Sequence, residues 1–386
     1  MSGTAHTTLR FETLERKQPL AGDVVVSLVG GHLVIEGDEA ANQISISSGE
    51  EPGSFVIQGL EGTVVKLADA ETGDPPAPET GLVVEGVRGH VRVGLGEGDD
   101  VLAVHDAHFR RGLTINTGAG ADEVRIGAAE DADPVDPAEE VESDANVHLL
   151  GSLLINTGEE GDAVNVASAS VGGLLTIATD GGDDTVNLGA EEVGEGAVAA
   201  AVGAGEDATL HAKLGVSVLL GEGVDAVIAN DVVTRGILGV GGGAGADSVE
   251  IHDSTAAILG IRGGDGDAND SVTLSGLKAH HAAIGLGDGD DEVSIVDSAF
   301  GSLAVALGAG DDSLSIQTVK ATRALLAGGE GDGDELTDAG DNTFRHVAIS
   351  GFELPPDVNT DPILPRMERP GLLGGPLARL LGRLRR

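Results

Sequence analysis

Along most of this chain, short runs of aliphatic residues alternate strictly with polar ones, and Gly-x-Gly-x-Asp turns set one run off from the next. After successive turns, Val124 and Ile126, Val164 and Val166, Val186 and Leu188, Val249 and Ile251, Val272 and Leu274, Val293 and Ile295, and Leu314 and Ile316 each stand two positions apart. A period of two places each pair on one face of a β-strand. A second strand-like run precedes each turn, as in Leu113-Thr114-Ile115, Leu153-Leu154-Ile155, Leu175-Thr176-Ile177 and Val216-Ser217-Val218. The remainder of each unit, such as Asp253 to Ala257 or Asp297 to Gly301, has room for a third strand and a corner.

The turn aspartate falls at 100, 122, 162, 184, 207, 225, 247, 270, 291, 312 and 334, with most steps at 21 to 23 residues. A fixed period in this range means a solenoid. The pattern predicts a mainly β fold, a right-handed parallel β-helix of about eleven coils of about 22 residues. At roughly 4.8 Å per coil the rod is on the order of 50 Å long. Each buried Val, Ile or Leu contributes roughly 1.5 to 3 kcal/mol, so the aliphatic ladders are the main source of stability.

Around this body the organisation changes. Residues 1–22 are polar, mildly basic and without period, and read as a flexible lead or export-associated segment. Residues 23–91 carry short alternating strands at Val24 to Leu28, His32 to Ile35, Gln43 to Ile46, Phe55 to Gln58, Val64 to Leu67 and Leu82 to Val84. They read as an N-terminal β cap, because an open solenoid end exposes core and strand edges. The repeat body is assigned to 92–353, with an acidic, Pro-containing loop at 128–145 that accounts for the step of 40 between Asp122 and Asp162. A similar loop lies at 68–79, and Asn342 to Glu353 reads as a closing strand. A Pro-rich linker follows at 354–370. The tail, 371–386, places Leu377, Leu380, Leu381 and Leu384 at helical spacing among Arg379, Arg383, Arg385 and Arg386. Such a basic amphipathic tail suits an anionic membrane, another acidic surface or the rod itself, and a frayed end is the plain alternative.

Composition sharpens the choice of partner. The chain has 65 acidic and 22 basic residues among 386, a formal net charge of −43, which excludes nucleic acid as partner and favours divalent cations. An acidic surface adapted to high salt is the competing explanation. There is no Cys, Trp or Tyr, so the core has neither disulfides nor large aromatic anchors. No apolar run is long enough to span a membrane as a helix, and the N-terminus lacks the apolar region of a standard signal peptide, which taken alone points to the cytoplasm.

The turns carry the candidate chemistry. Their glycines supply positive φ, and their aspartates either accept hydrogen bonds from turn amides or coordinate a cation. Stacking brings successive carboxylates to strand spacing, where like charges repel by about 1 kcal/mol in water. Calcium, with 6 to 8 oxygen ligands, is one remedy. The doubled acids Asp99-Asp100, Asp183-Asp184, Asp290-Asp291 and Asp311-Asp312, together with Asp122 and Asp247, are the candidate metal ligands.

The segment Gly242-Gly243-Ala244-Gly245-Ala246-Asp247-Ser248-Val249 resembles the RTX calcium-binding nonapeptide, Gly-Gly-x-Gly-x-Asp-x-U-x with U a large aliphatic residue. Other copies replace the first Gly by Leu95, Thr117, Leu220, Leu286 or Leu307, and one turn occurs per 22 residues. The resemblance implies calcium at the turns. Residues Leu9 to Asp23, with Leu14-Glu15-Arg16-Lys17-Gln18-Pro19-Leu20, are similar to the short Leu-Glu-x-Arg-x-Leu-Leu leader of planctomycete-type secreted surface proteins, and Pro19 stands where that pattern has an aliphatic residue. Repeats such as Leu174 to Leu188 are similar to the β-helical tandem units of those proteins. This second resemblance implies an extracellular or cell-surface location.

Together these readings describe a non-catalytic, calcium-associated structural or adhesive module. The alternatives are a carbohydrate-active β-helix enzyme and a calcium-independent acidic scaffold. Sugar-cleaving grooves need stacking platforms and a base beside acids, whereas this chain has six Phe as its only large aromatics. Arg125, Lys213, Arg235, Arg262, Lys278, Lys320 and Arg323 are scattered along the repeats without a local constellation. His105, Asp106 and His108, and the pair His280-His281, are either surface residues or transition-metal ligands.

Overall fold

The computed structural model describes residues 22–68, 81–127, 147–189, 209–264 and 266–353. Asp207, the loops at 69–80 and 128–146, the leader motif before Gly22, the linker and the basic tail lie outside the described residues. Within them the chain is all strand, without a helix, and it winds into a parallel β-solenoid.

Two parallel sheets form its long walls. The first collects the strands before the turns, from Val91–Glu97 and Leu113–Ala119 to Lys320–Glu330 and Thr343–Ser350. The second collects those after the turns, from Val101–Val104 to Glu335–Asp338. In-register pairing stacks equal positions of successive coils. Val93, Ile115, Ile155, Ile177, Val218, Val240, Ile261, Ile284, Val305 and Leu326 make one column in the first sheet. All ten are buried, facing a column that runs from Leu102 and Val124 to Leu336. The alternating pairs noted in the sequence are thus the inward residues of the second sheet.

The coil count is ten. Among the described residues, Thr185–Gly189 pairs directly with Ala226–Asn230, so Asp225 follows Asp184 in the stack. The steps of 23 and 18 residues flanking Asp207 are one coil of 41. In the sequence, Gly203-Ala204-Gly205-Glu206-Asp207 matches the turn pattern.

Each early coil has a third short strand, such as Val147–Leu149, Ala169–Val171, Leu210–Ala212 or Val232–Thr234. From Thr255 onward this strand merges with the next first-sheet strand, giving bent strands of 10 or 11 residues such as Lys278–Asp288 and Ala299–Ala309. The corner before it adopts positive φ at Asp106, Ser168, Asp231, Asp253, Asp297, Thr318 and Asp341, between 41° and 58°. Asp tolerates this left-handed conformation better than most residues, so part of the chain's acidity serves its corners.

The N-terminal strands fall within two residues of the sequence expectation and build a zeroth coil. His32–Glu36 and Gln43–Ser48 pair in parallel with the first full coil. Antiparallel partners, Asp23–Val29 on the first strand and Phe55–Gly59 on the second, then cover that end. The stacked rings of Phe55 and Phe109 fill the corner. At the far end Phe344, Val347, Ile349 and Phe352 pack on the core only partly buried.

Candidate functional site

The turn aspartates form a continuous internal ladder. The backbone N–H of each donates to Oδ1 of the aspartate one coil further on, at 2.7 to 3.1 Å, from Asn42 through Asp100, Asp122, Asp162, Asp184, Asp225, Asp247, Asp270, Asp291 and Asp312 to Asp334. All ten aspartates are at most 7% exposed. Oδ2 is fully buried and without a hydrogen-bond partner at nine of them.

Burial dominates their ionisation. It pushes Asp100, Asp162, Asp247 and Asp291 up to about 7, and raises Asp122, Asp184, Asp225, Asp270 and Asp312 as well. The donated N–H pulls each back toward the charged form. At Asp122, Asp162 and Asp184 the nearby hydroxyls of Thr117, Thr157 and Thr179 also oppose the rise, although none is in hydrogen-bond geometry with Oδ2. Repulsion between neighbouring acids adds to the rise at most rungs.

Holding an aspartate ionised where burial has raised it from 3.8 to about 7 costs roughly 4 kcal/mol. Four such sites would consume a typical folding margin of about 5 to 15 kcal/mol at neutral pH, and protonation of the ladder relieves that cost only as pH falls below about 7. Asn42, which heads it, offers one solution. Its amide Nδ2 donates to the Leu95 carbonyl at 3.3 Å, one coil on, and to the Ala40 carbonyl at 2.6 Å. A protonated Oδ2 can donate in the same manner.

The doubled acids do not converge. In Asp99-Asp100, Asp183-Asp184, Asp290-Asp291 and Asp311-Asp312, the second member is buried in the ladder and the first is exposed. The exposed members make a reverse ladder. Oδ1 of Asp99, Asp183 and Asp290 accepts the N–H of Ala121, Val224 and Asp311 on the following coil, at 3.1, 2.9 and 2.8 Å. Of the predicted ligands, Asp100, Asp122, Asp184, Asp247, Asp291 and Asp312 are therefore interior, and Asp99, Asp183, Asp290 and Asp311 are exterior. Asp290 and Asp311 lie on adjacent coils. Among the described residues, no three acidic or histidine side chains are grouped to hold a metal ion.

The histidines are engaged separately. His105 lies 3.6 Å from Asp106, His281 shares a 2.7 Å hydrogen bond with Ser302, and His108 stacks on His148 at 4.9 Å.

Sequence reading missed a groove at the first coils. It has a volume of about 1040 Å³ and is lined by Arg88, Arg110, Arg111 and His90, with Leu150 and Leu154 on the next coil. No carboxylate is among its lining residues. Arg88 and Arg110 are 22 residues apart, one full period, and this was the available signal.

No protein-family model, no curated protein and no solved structure matches this chain.

Proposed function

We propose that this protein is a non-catalytic structural or adhesive rod, exposed at the cell surface, with calcium associated at the exterior acids of its turns. The division of each doubled turn into one interior and one exterior carboxylate carries this reading. The interior member accepts a backbone N–H and closes the coil. The exterior member keeps one oxygen open to solvent, and at Asp290 and Asp311 two such members lie on adjacent coils at strand spacing. A cation shared there relieves like-charge repulsion of about 1 kcal/mol or more, with turn carbonyls and water completing the oxygen shell.

The enzyme alternative finds less support. The groove described above brings guanidinium groups together without the paired carboxylates that glycoside hydrolysis requires. The calcium-independent scaffold is favoured by one observation, the closure of every interior rung by a hydrogen bond that needs no metal.

A thermal melt of the full chain separates these readings. Millimolar calcium is expected to raise Tm by a few degrees over EDTA, beyond sodium at matched ionic strength. The double substitution Asp290→Asn with Asp311→Asn should remove most of that rise. A melt indifferent to calcium would leave the acidic scaffold as the function. The surface location has its own check: the protein should be recovered in a washed cell-surface fraction, and recovery only in the cytosol would refute it.

A further inference from the structure

We infer that the groove at the first coils binds an acidic polysaccharide, through Arg88, Arg110 and Arg111 contacting its carboxylate groups. The inference deepens the adhesive reading and rests on it.

The first argument is electrostatic. In a chain of net charge −43, Arg88, Arg92, Arg110 and Arg111 fall within 24 positions. All four are exposed, and among the described residues none forms an ion pair with an acid. Arg125 and Lys66, by contrast, are paired with Glu123 and Asp23. Three unpaired guanidinium groups along one groove make a local cationic site that planar carboxylates fit in bidentate fashion.

The second argument is geometric. Arg88 and Arg110 occupy the same position on successive coils, so the charges repeat at the coil spacing of roughly 4.8 Å. That repeat suits a chain carrying one charge per sugar better than a compact anion. The backbone around it is held in place: His90 Nδ1 accepts the Gly112 N–H at 3.3 Å, and the His90 ring stacks on His32 at 5.7 Å. On the next coil of the same face Leu150 and Leu154 are 77% and 42% exposed, offering apolar surface to the C–H face of a sugar ring.

The third argument selects against other polyanions. The acidic body repels any ligand of high charge density. Duplex DNA, with one charge per about 1.7 Å, is repelled far more strongly than a glycan bearing a charge per sugar.

The test is a titration of the full chain with a short uronic-acid oligosaccharide at low salt, followed calorimetrically. Parallel titrations use its methyl ester and an oligoglutamate of matched charge. The acid form should bind saturably, the ester should not, and the peptide should bind more weakly. Raising salt from about 50 to about 300 mM should weaken binding. Arg88→Gln with Arg110→Gln should reduce affinity about tenfold or more, while Arg323→Gln, on a distant coil, should leave it unchanged. Absence of saturable binding, equal binding of the ester, or equal binding of the peptide would overturn the inference. If the double variant melts early, the acid-versus-ester comparison on the native chain still decides. Assaying the recovered oligosaccharide for new chain ends keeps the two ideas apart: cleavage would refute the non-catalytic function, and loss of binding would refute only the glycan site.

Discussion

Raising the pH from about 5.5 to about 8.5 should lower the melting temperature of this protein, with most of the loss complete by about pH 7. The cause is the interior aspartate ladder. In the unfolded chain these residues titrate near 3.9, whereas in the fold Asp100, Asp162, Asp247 and Asp291 sit near 7. Between those values the folded state binds more protons than the unfolded state, so stability falls as pH rises. The contribution is complete below the unfolded value and is lost as pH passes through about 7. This is the reverse of the usual aspartate, whose ion pair or hydrogen bonds depress its pKa.

Substitutions make the expectation specific to the ladder. Asp247→Asn or Asp291→Asn keeps the oxygen that accepts the preceding N–H and replaces the proton by a permanently neutral amide, as Asn42 does naturally. Each variant should flatten the pH dependence and melt no lower than the native chain at pH 8.5. Asp291→Ala removes the acceptor and leaves the Asp270 N–H without its partner, which should cost about 1 to 3 kcal/mol at every pH. A native melt that is flat or rises with pH, or one whose slope survives in the Asn variants, would exclude a protonated ladder.

The other large effect is steric. Gly308→Ala should destabilise the solenoid by roughly 3 kcal/mol or more, read from a urea or thermal unfolding curve. Gly308 has φ of 144°, a conformation that L-residues rarely adopt, and a Cβ there would collide with the carbonyl oxygen of Gly287 on the preceding coil. Coils stack through their backbones at the turn, so the collision cannot be relieved by rotating a side chain. Gly260→Ala is the matched control. A Cβ at Gly260 meets nothing within 4 Å, and the change should stay within about 0.5 kcal/mol of native. Equal effects at the two sites would mean that close turn stacking does not limit stability.

Much of the ladder was legible before any coordinates. Asp100 stands two residues before Leu102, Asp122 two before Val124 and Asp291 two before Val293. Carrying the strand's period of two back through the turn places each on the core side and its preceding acid outside. Reading the doubled acids as one ligand pair overlooked that parity. The groove was half legible, since the period aligns Arg88 with Arg110. Leu150 joins them across a 40-residue coil, and only folding brings it alongside.

The sequence by itself determined the solenoid, its strands and the residues that stack in each column. In such a fold every coil contacts only its neighbours, so one-dimensional periodicity contains nearly all the pairing information. The tertiary structure decided the number of coils, since among the described residues the Asp184 rung is followed directly by Asp225. It also decided the chemistry of the carboxylates and arginines. An aspartate's affinity for protons depends on its burial and on what faces Oδ2, and an arginine's availability depends on whether an acid lies within reach. Both are properties of the space between coils, which residue type and spacing do not specify.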